Sequence, residues 1–250
     1  IICKQGVGFE TIDIATAKEC GIAVCRTPGV NSEAVAEMAF ALALSVTRRI
    51  TRFDRMLRAG EEIVRPAHLG IEMHGKTVGV VGMGNIGTRV ARKWFGAFDA
   101  RIIAYDPYAT DDQWLGLPHQ RVNSLNELLA VSDLVTLHLP LNEQTKNLID
   151  RAALAIMKKN TVLINVYRGG LIDEQALFDA LQSGHLFGAG LDVFAIEPPP
   201  ADYPLLSLPN VVTTPHAAGG TVDTQERSSL QVAQQVIDVL AGLPAMNRVA

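Results

Sequence analysis

The chain has 250 residues, of which 48% are hydrophobic and 19% are charged, and its net charge is −4. This composition predicts a globular protein with a full core, and its scattered basic residues give no case for nucleic-acid binding. No apolar run approaches the roughly 18 residues that a membrane-spanning helix needs. The N-terminus lacks the order of a signal peptide, so we expect a cytoplasmic protein with no membrane partner.

The first 25 residues predict a strand, a helix and a second strand. The apolar residues 1–3 start the chain, residues 13–20 have a helical pattern that Gly21 ends, and residues 22–25 form the next strand. Three elements cannot close a domain. Either the N-terminal part of this unit is absent from the chain, or these elements add to the edge of a larger one.

Residues 31–49 predict a long helix that Asn31 or Ser32 can cap. Its middle, AVAEMAFALALSV, is apolar on nearly every side, so more than one partner must cover it. One interpretation is a core helix. The other is a helix shared between two subunits, which predicts a homodimer through residues 31–50. Residues 51–74 predict the end of a helix and a loop.

The segment 77–87, TVGVVGMGNIG, predicts a phosphate-binding turn. A buried parallel strand at 77–81 leads into Gly82, Gly84 and Gly87, which have the G-x-G-x-x-G spacing, and a helix follows. Such glycines permit a tight turn and a close approach of a pyrophosphate to the helix N-terminus. The motif alone is a weak signal, so its context decides.

Asp106 supplies that context, because it ends the next predicted strand, 101–105, and lies 19 residues after Gly87. An acidic side chain at this position accepts hydrogen bonds from a ribose diol and repels a 2′-phosphate, which favours NAD over NADP. The alternative is that Asp106 only caps the strand and opens a turn before Pro107.

The rest of the chain alternates helices and strands. Helices are predicted at 125–130, 151–157, 174–182 and 222–240, and strands at 134–139, 161–166, 188–193 and 211–213. This alternation predicts an α/β fold with a doubly wound parallel sheet covered on both faces. The last helix places Leu230, Ala233, Ile237 and Leu240 on one stripe.

Three polar side chains follow neighbouring strands, where the chemistry of such sheets gathers. Arg168 follows the strand ILINV, Glu197 follows GAGLDVF, and His216 follows VVTT. Each alone would more often be structural, but their joint placement predicts a site at the mouth of a dinucleotide pocket.

Several motifs together resemble the D-isomer-specific 2-hydroxyacid dehydrogenase family: GMGNIG with Asp106, NVYRGGLIDE, GAGLDVFAIEPP and TTPHAAGGT, with GVGFETIDIATAKECGIAVCRTPGVNSEAVAE upstream. The resemblance implies a Rossmann NAD-binding domain at residues 30–220. It also implies a flavodoxin-like substrate domain, N-terminally incomplete, at residues 1–29 and 221–250. The implied reaction is NAD-dependent hydride transfer between nicotinamide and a D-2-hydroxy or 2-oxo acid, such as 3-phosphoglycerate, glycerate or hydroxypyruvate.

The same resemblance implies residue roles. Arg168 would bind the substrate carboxylate and polarise its ketone, His216 would act as general acid and base, and Glu197 would orient the imidazole. The implied cofactor contacts, besides the three glycines and Asp106, are Asn85, Ile86, Pro140, Asp192 and Gly219. No metal is implied.

Tyr167 departs from the family pattern, which has a small residue before the arginine. Its phenol could narrow the pocket, bind a phosphate or hydroxyl, or point away. Two alternatives to a dehydrogenase stay open: an NAD-responsive dimeric binding scaffold like the corepressors of this family, and an inactive truncated member.

Overall fold

The computed structural model describes residues 1–9, 11–114, 116 and 119–249. The chain divides into two compact units, a smaller one of Ile1–Val35 with Gly219–Ala250 and a larger one of Ala36–Ala218. The sequence places the boundaries at 29/30 and 220/221, and the assignment of the smaller unit as a substrate domain stays a prediction. Among the described residues, no helix has both the length and the apolar character that crossing a membrane requires.

The described residues form nine strands and nine α-helices. The strands are β1 (Ile2–Lys4), β2 (Val24–Arg26), β3 (Thr77–Val81), β4 (Arg101–Tyr105), β5 (His119–Arg121), β6 (Leu134–Leu137), β7 (Val162–Asn165), β8 (Gly188–Leu191) and β9 (Val211–Thr213). The helices are α1 (Ile14–Glu19), α2 (Ser32–Thr47), α3 (Ile50–Arg58), α4 (Asn85–Phe98), α5 (Asp111–Trp114), α6 (Leu125–Val131), α7 (Arg151–Ile156), α8 (Glu174–Gln182) and α9 (Val222–Leu240).

The larger unit is built on a seven-stranded parallel sheet with the order β5-β4-β3-β6-β7-β8-β9. Successive residues of a strand face opposite sides, so β3 shows what covers each side. A Cβ atom placed on Gly79 would lie 2.5 Å from Leu128 of α6, whereas Val80 faces α4, where it lies close to Gly87. Helices therefore cover both faces, and the prediction of a doubly wound Rossmann sheet is confirmed.

Helix α2 is packed within the larger unit along residues 36–47. Phe40 lies 4.6 Å from Trp94 of α4, measured between ring centroids, and Leu42 and Val46 contact β8 where Gly190 and Gly188 leave room. Of these twelve residues only Glu37 and Ala41 are exposed. The core interpretation thus accounts for the apolar character of α2 without a second subunit.

The segment after α2 departs from the prediction of a helix end and loop. Helix α2 ends at Thr47, Arg49 takes the left-handed conformation with φ 55°, and α3 begins at Ile50 as a separate helix. A left-handed residue cannot continue an α-helix, which is why the chain turns here.

The smaller unit holds a two-stranded parallel sheet in which Cys3 lies opposite Cys25. Among the described residues β1 and β2 pair only with each other as strands, so the alternative that they extend the larger sheet is wrong.

Helix α9 of the smaller unit buries Thr224, Ser228 and Gln235, while the predicted apolar stripe is exposed, with Leu240 at 78%. This polar face can be buried because it forms hydrogen bonds there: the hydroxyls of Ser228 and Thr27 are bonded to each other (3.2 Å), and Gln235 Nε2 donates to the Arg26 carbonyl (3.0 Å).

Candidate active site at the carboxyl edge of the sheet

The glycine segment forms a tight turn between β3 and α4. Gly82 has φ 92°, and a Cβ atom on it would lie 2.4 Å from the His138 carbonyl oxygen, so no larger residue fits. A Cβ on Gly87 would lie 1.9 Å from the Gly82 carbonyl oxygen. By contrast, a Cβ on Gly84 would meet nothing within 4 Å, and Gly84 caps α4 without a side-chain hydrogen bond. Open space therefore adjoins the helix start at Asn85 and Ile86, as a bound phosphate requires.

Asp106 lies directly after β4 and ties the next turn to the glycine segment. Its Oδ1 accepts hydrogen bonds from the backbone N–H groups of Tyr108 (2.9 Å) and Ala109 (3.1 Å), and its Oδ2 accepts one from Met83 N–H (2.8 Å). The turn-capping role offered as an alternative is thus present in the structure. A carboxylate has lone pairs for further donors, so a ribose role is compatible with this geometry and stays a prediction.

Arg168 lies in the loop after β7, which Asn165 shapes. The Asn165 side chain accepts a hydrogen bond from Tyr167 N–H (3.1 Å) and donates one to the Arg168 carbonyl (2.8 Å). The Arg168 guanidinium donates to the Tyr167 carbonyl (2.7 Å), and its carbon lies 5.5 Å from the centre of the Tyr167 ring. Arginine and phenol are therefore neighbours.

Glu197, in the loop after β8, lies within ion-pair distance of His216, in the loop after β9. His216 Nδ1 lies 2.6 Å from Glu197 Oε2, and the other carboxylate oxygen accepts a hydrogen bond from Phe194 N–H (3.0 Å). Because Glu197 accepts the hydrogen bond from Nδ1, Nε2 is the ring nitrogen left for a substrate. The His216 side chain is 48% exposed, so small molecules can reach it.

The strand order brings Arg168 to the same edge as this pair, because β7, β8 and β9 are consecutive parallel neighbours. The loops after β7 and β8 also touch: a Cβ on Gly169 would lie 1.9 Å from the Phe194 carbonyl carbon. The three side chains that the sequence singled out thus share one edge of the sheet. Their catalytic roles stay predictions.

Two carboxylates support these loops, and sequence reasoning missed their part. Asp192, predicted only as a nicotinamide contact, is fully buried and accepts hydrogen bonds from the loop that carries His216. Glu174, the first residue of α8, accepts hydrogen bonds from Ala195 N–H (3.0 Å) and from the Tyr203 hydroxyl. Burial and the nearby Glu174 charge raise the pKa of Tyr203. The only sequence signal was an acid directly after β8 and another at a helix start.

Pro140 and Gly219 are the two other predicted cofactor contacts. Pro140 is exposed after β6, where its carbonyl accepts a hydrogen bond from Thr145 Oγ1 (2.7 Å). Gly219 belongs to the smaller unit, and a Cβ on it would lie 3.1 Å from Asn31 Nδ2. Their contacts with a cofactor stay predictions. No group of three metal-ligating side chains occurs among residues that the structure describes.

A parallel sheet in this order, with a glycine turn between the interior strand β3 and the helix that follows it, defines a dinucleotide-binding domain. Residues 40–218 match the family model "D-isomer specific 2-hydroxyacid dehydrogenase, NAD binding domain". The chain belongs to this family, and its larger unit is the NAD-binding domain.

Known relatives agree with that assignment. The chain is 42% identical over 247 residues to D-3-phosphoglycerate dehydrogenase of Methanocaldococcus jannaschii, covering 99% of the chain and 47% of the relative. It is 41% identical over 242 residues to hydroxypyruvate reductase of Thermotoga maritima, covering 96% and 77%. The solved structure of the TT0316 protein from Thermus thermophilus superimposes with a TM-score of 0.89 at 40% identity, covering 98% and 77%. The chain thus spans about half the length of the first of these relatives.

Proposed function

We propose that this protein is an NAD-dependent oxidoreductase that transfers hydride between nicotinamide and a D-2-hydroxy acid or the matching 2-oxo acid. The observation that carries the proposal is the 2.6 Å contact between His216 Nδ1 and Glu197, at the sheet edge where Arg168 also lies. An imidazole oriented by a carboxylate, beside a guanidinium, matches a substrate that has a carboxylate next to a carbonyl or hydroxyl group.

The glycine segment and Asp106 would hold the cofactor. The N–H groups at the start of α4, beside the open space at Gly84, suit the pyrophosphate, and Asp106 suits an unphosphorylated ribose. NAD supplies or accepts the hydride when it is bound. Asp192, Pro140 and Gly219 complete the proposed contacts.

Arg168 would bind the substrate carboxylate with its planar, forked donors and so turn the adjacent carbonyl towards His216. In reduction, His216 donates its Nε2 proton to the carbonyl oxygen. In oxidation the same nitrogen removes the hydroxyl proton, while Glu197 keeps the ring oriented through Nδ1 and balances its charge.

The substrate is proposed as a class, small 2-oxo acids and their D-2-hydroxy partners, with phosphohydroxypyruvate, hydroxypyruvate, glyoxylate and pyruvate as the first to try. The names of the relatives support this choice, since one is a D-3-phosphoglycerate dehydrogenase and another a hydroxypyruvate reductase.

The test is a steady-state screen of NADH oxidation with these four acids, run on this chain and on the full-length gene product. We expect turnover with at least one acid, and loss of turnover in His216→Ala while NADH still binds, because that change removes a proton-transfer group and no cofactor contact. NADH binding without turnover in either form would contradict the proposal and favour an NAD-responsive binding scaffold.

A further inference from the structure

His216 has a backbone conformation that its loop must enforce. Its φ is 53°, in the left-handed region that residues other than glycine rarely adopt. Such a conformation persists only where the surroundings over-determine it, and it is frequent at functional sites. Whatever fixes the backbone here also fixes the direction in which the imidazole leaves the chain.

Asp192 holds this loop from two sides. Its backbone carbonyl accepts a hydrogen bond from His216 N–H (2.7 Å). Its carboxylate accepts three more, from the Thr214 hydroxyl (2.5 Å) and Ala217 N–H (2.8 Å) at Oδ1, and from Ala218 N–H (2.9 Å) at Oδ2. All the donors come from the five residues centred on His216.

Asp192 is itself rigidly placed and buried. Its own N–H donates to the Asn165 carbonyl at the end of β7 (2.9 Å), and its side chain is fully shielded from solvent. No lysine or arginine forms an ion pair with it among the residues described by the structure. A buried carboxylate without a cation depends on hydrogen-bond donors, so displacing the loop would leave the charge unsatisfied. The carboxylate therefore favours a single loop conformation.

We propose that Asp192 is a positioning residue for His216 that fixes the backbone of its loop, whereas Glu197 orients the ring, and that the Thr214 hydroxyl is the side-chain contact through which Asp192 orients this loop. The inference rests on the proposed dehydrogenase function, and it gives Asp192 a role besides the expected nicotinamide contact.

Variants of Thr214 can distinguish the loop-orienting role of Asp192 from its expected nicotinamide contact. The Thr214 hydroxyl donates to the carboxylate and has no assigned contact with the cofactor. Thr214→Val removes the hydroxyl at nearly constant volume, and Thr214→Ser keeps it. We expect Thr214→Val to lower kcat about tenfold or more, as small misplacements of a catalytic group do, with the Kd of NADH unchanged. Thr214→Ser should restore kcat to within about twofold of the parent. Equal kcat in the parent and Thr214→Val, or equal impairment in both variants, would overturn the proposal.

A second measurement is independent of turnover. The N–H groups of His216, Ala217 and Ala218 all donate to Asp192, so their amide hydrogen exchange reports the loop directly. We expect faster exchange at these amides in Thr214→Val and parent-like exchange in Thr214→Ser, with the rest of the larger unit unchanged. If the parent binds NADH but turns over no substrate, the proposed function fails and exchange alone decides the inference. Unchanged exchange in Thr214→Val would then refute it.

Discussion

His138 illustrates how a single buried side chain can set the response of the fold to pH. It lies directly after β6, is buried, and contacts Thr136 Oγ1 through Nε2 at 2.9 Å. Its Nδ1 has no hydrogen-bond partner among the described residues. Burial lowers the pKa of His138 from 6.5 to about 3, so the folded protein keeps this ring neutral.

The lowered pKa predicts a loss of stability in acid. Between about pH 6.5 and pH 3 the unfolded chain takes up a proton at this position and the folded protein does not. The free energy of unfolding therefore falls as the pH falls, by up to about 1.4 kcal/mol per pH unit from this group. Urea unfolding at several pH values should show a shallower dependence in His138→Gln, which cannot titrate. His74→Gln, at an exposed position, is the control and should keep the parent slope. A parent-like slope in His138→Gln would contradict the assignment.

At Tyr167, a pair of variants can distinguish the role of the aromatic ring from that of the phenolic hydroxyl. Its ring lies under the Arg168 guanidinium at 5.5 Å, a distance at which a cation and an aromatic face attract each other. We expect Tyr167→Ala to raise the KM for the 2-oxo acid about two- to fivefold, because Arg168 loses that support. Tyr167→Phe keeps the ring and should leave KM unchanged. If Phe and Ala raise KM equally, the phenolic hydroxyl rather than the ring matters, which would indicate a hydrogen bond to the substrate.

At the scale of elements, the site depends on how closely the loops after β7 and β8 approach each other. A Cβ on Gly169 would overlap the Phe194 backbone, since it would lie 1.9 Å from the carbonyl carbon of that residue. We expect Gly169→Ala to lower the free energy of unfolding by about 1–3 kcal/mol, as other overpacked positions do. Turnover should fall too, since the displaced loop carries Glu197.

Gly96 in α4 is the matched control for that substitution. A Cβ there would meet nothing within 4 Å, and an alanine in a helix interior is favoured over glycine by roughly 0.5–1 kcal/mol. Denaturant unfolding should therefore move in opposite directions for the two Gly→Ala changes. A stable Gly169→Ala protein would mean that the two loops have more freedom than their separation indicates.

The elements that sequence reasoning located well are those with buried apolar strands or long patterned helices. β4, α8 and α9 have their predicted bounds. The apolar run of β4 identifies a buried strand, and the two helices have a helical pattern that ends at a clear stop. α5 and β5 were missed: DDQW and HQR are short and polar, and β5 lies at the sheet edge, where the hydrophobic pattern is weakest.

At the scale of the whole molecule, the sequence predicts those parts of the site whose position follows from where a strand ends. Arg168, Glu197 and His216 follow consecutive strands, and parallel topology brings those ends to one edge. The support by Asp192 and Glu174 was not predictable, because it depends on contacts such as Asp192 to Ala218, 26 residues apart. The sequence also could not predict that the apolar stripe of α9 is exposed. Periodicity identifies which residues share a helix face, but it does not show whether another element covers that face.

Homodimerisation is the remaining prediction for the whole molecule. The sequence favours an interface through residues 31–50, whereas the structure favours the segment that follows α2. Helix α2 is covered by α4 and β8, whereas α3, directly after it, buries none of its residues. Ile50 and Leu57 of α3, with Val64 and Leu69, are exposed at 55%, 69%, 58% and 71%. Leu69 lies beside the start of α3, because Arg49 Nε donates to its carbonyl at 2.9 Å. Exposed apolar side chains in one segment are typical of an interface.

We therefore expect the dimer to form through residues 50–69 and to dissociate when this surface is charged. Sedimentation should give twice the chain mass of 26.9 kDa for the parent and the single mass for Leu69→Glu. A buried charge without a partner makes the association unfavourable, while the isolated chain loses no core contact at a side chain 71% exposed. Leu243→Glu, at a 56% exposed position in the smaller unit, is the matched control and should remain dimeric. A monomeric parent would refute the dimer, and a dimeric Leu69→Glu would move the interface elsewhere.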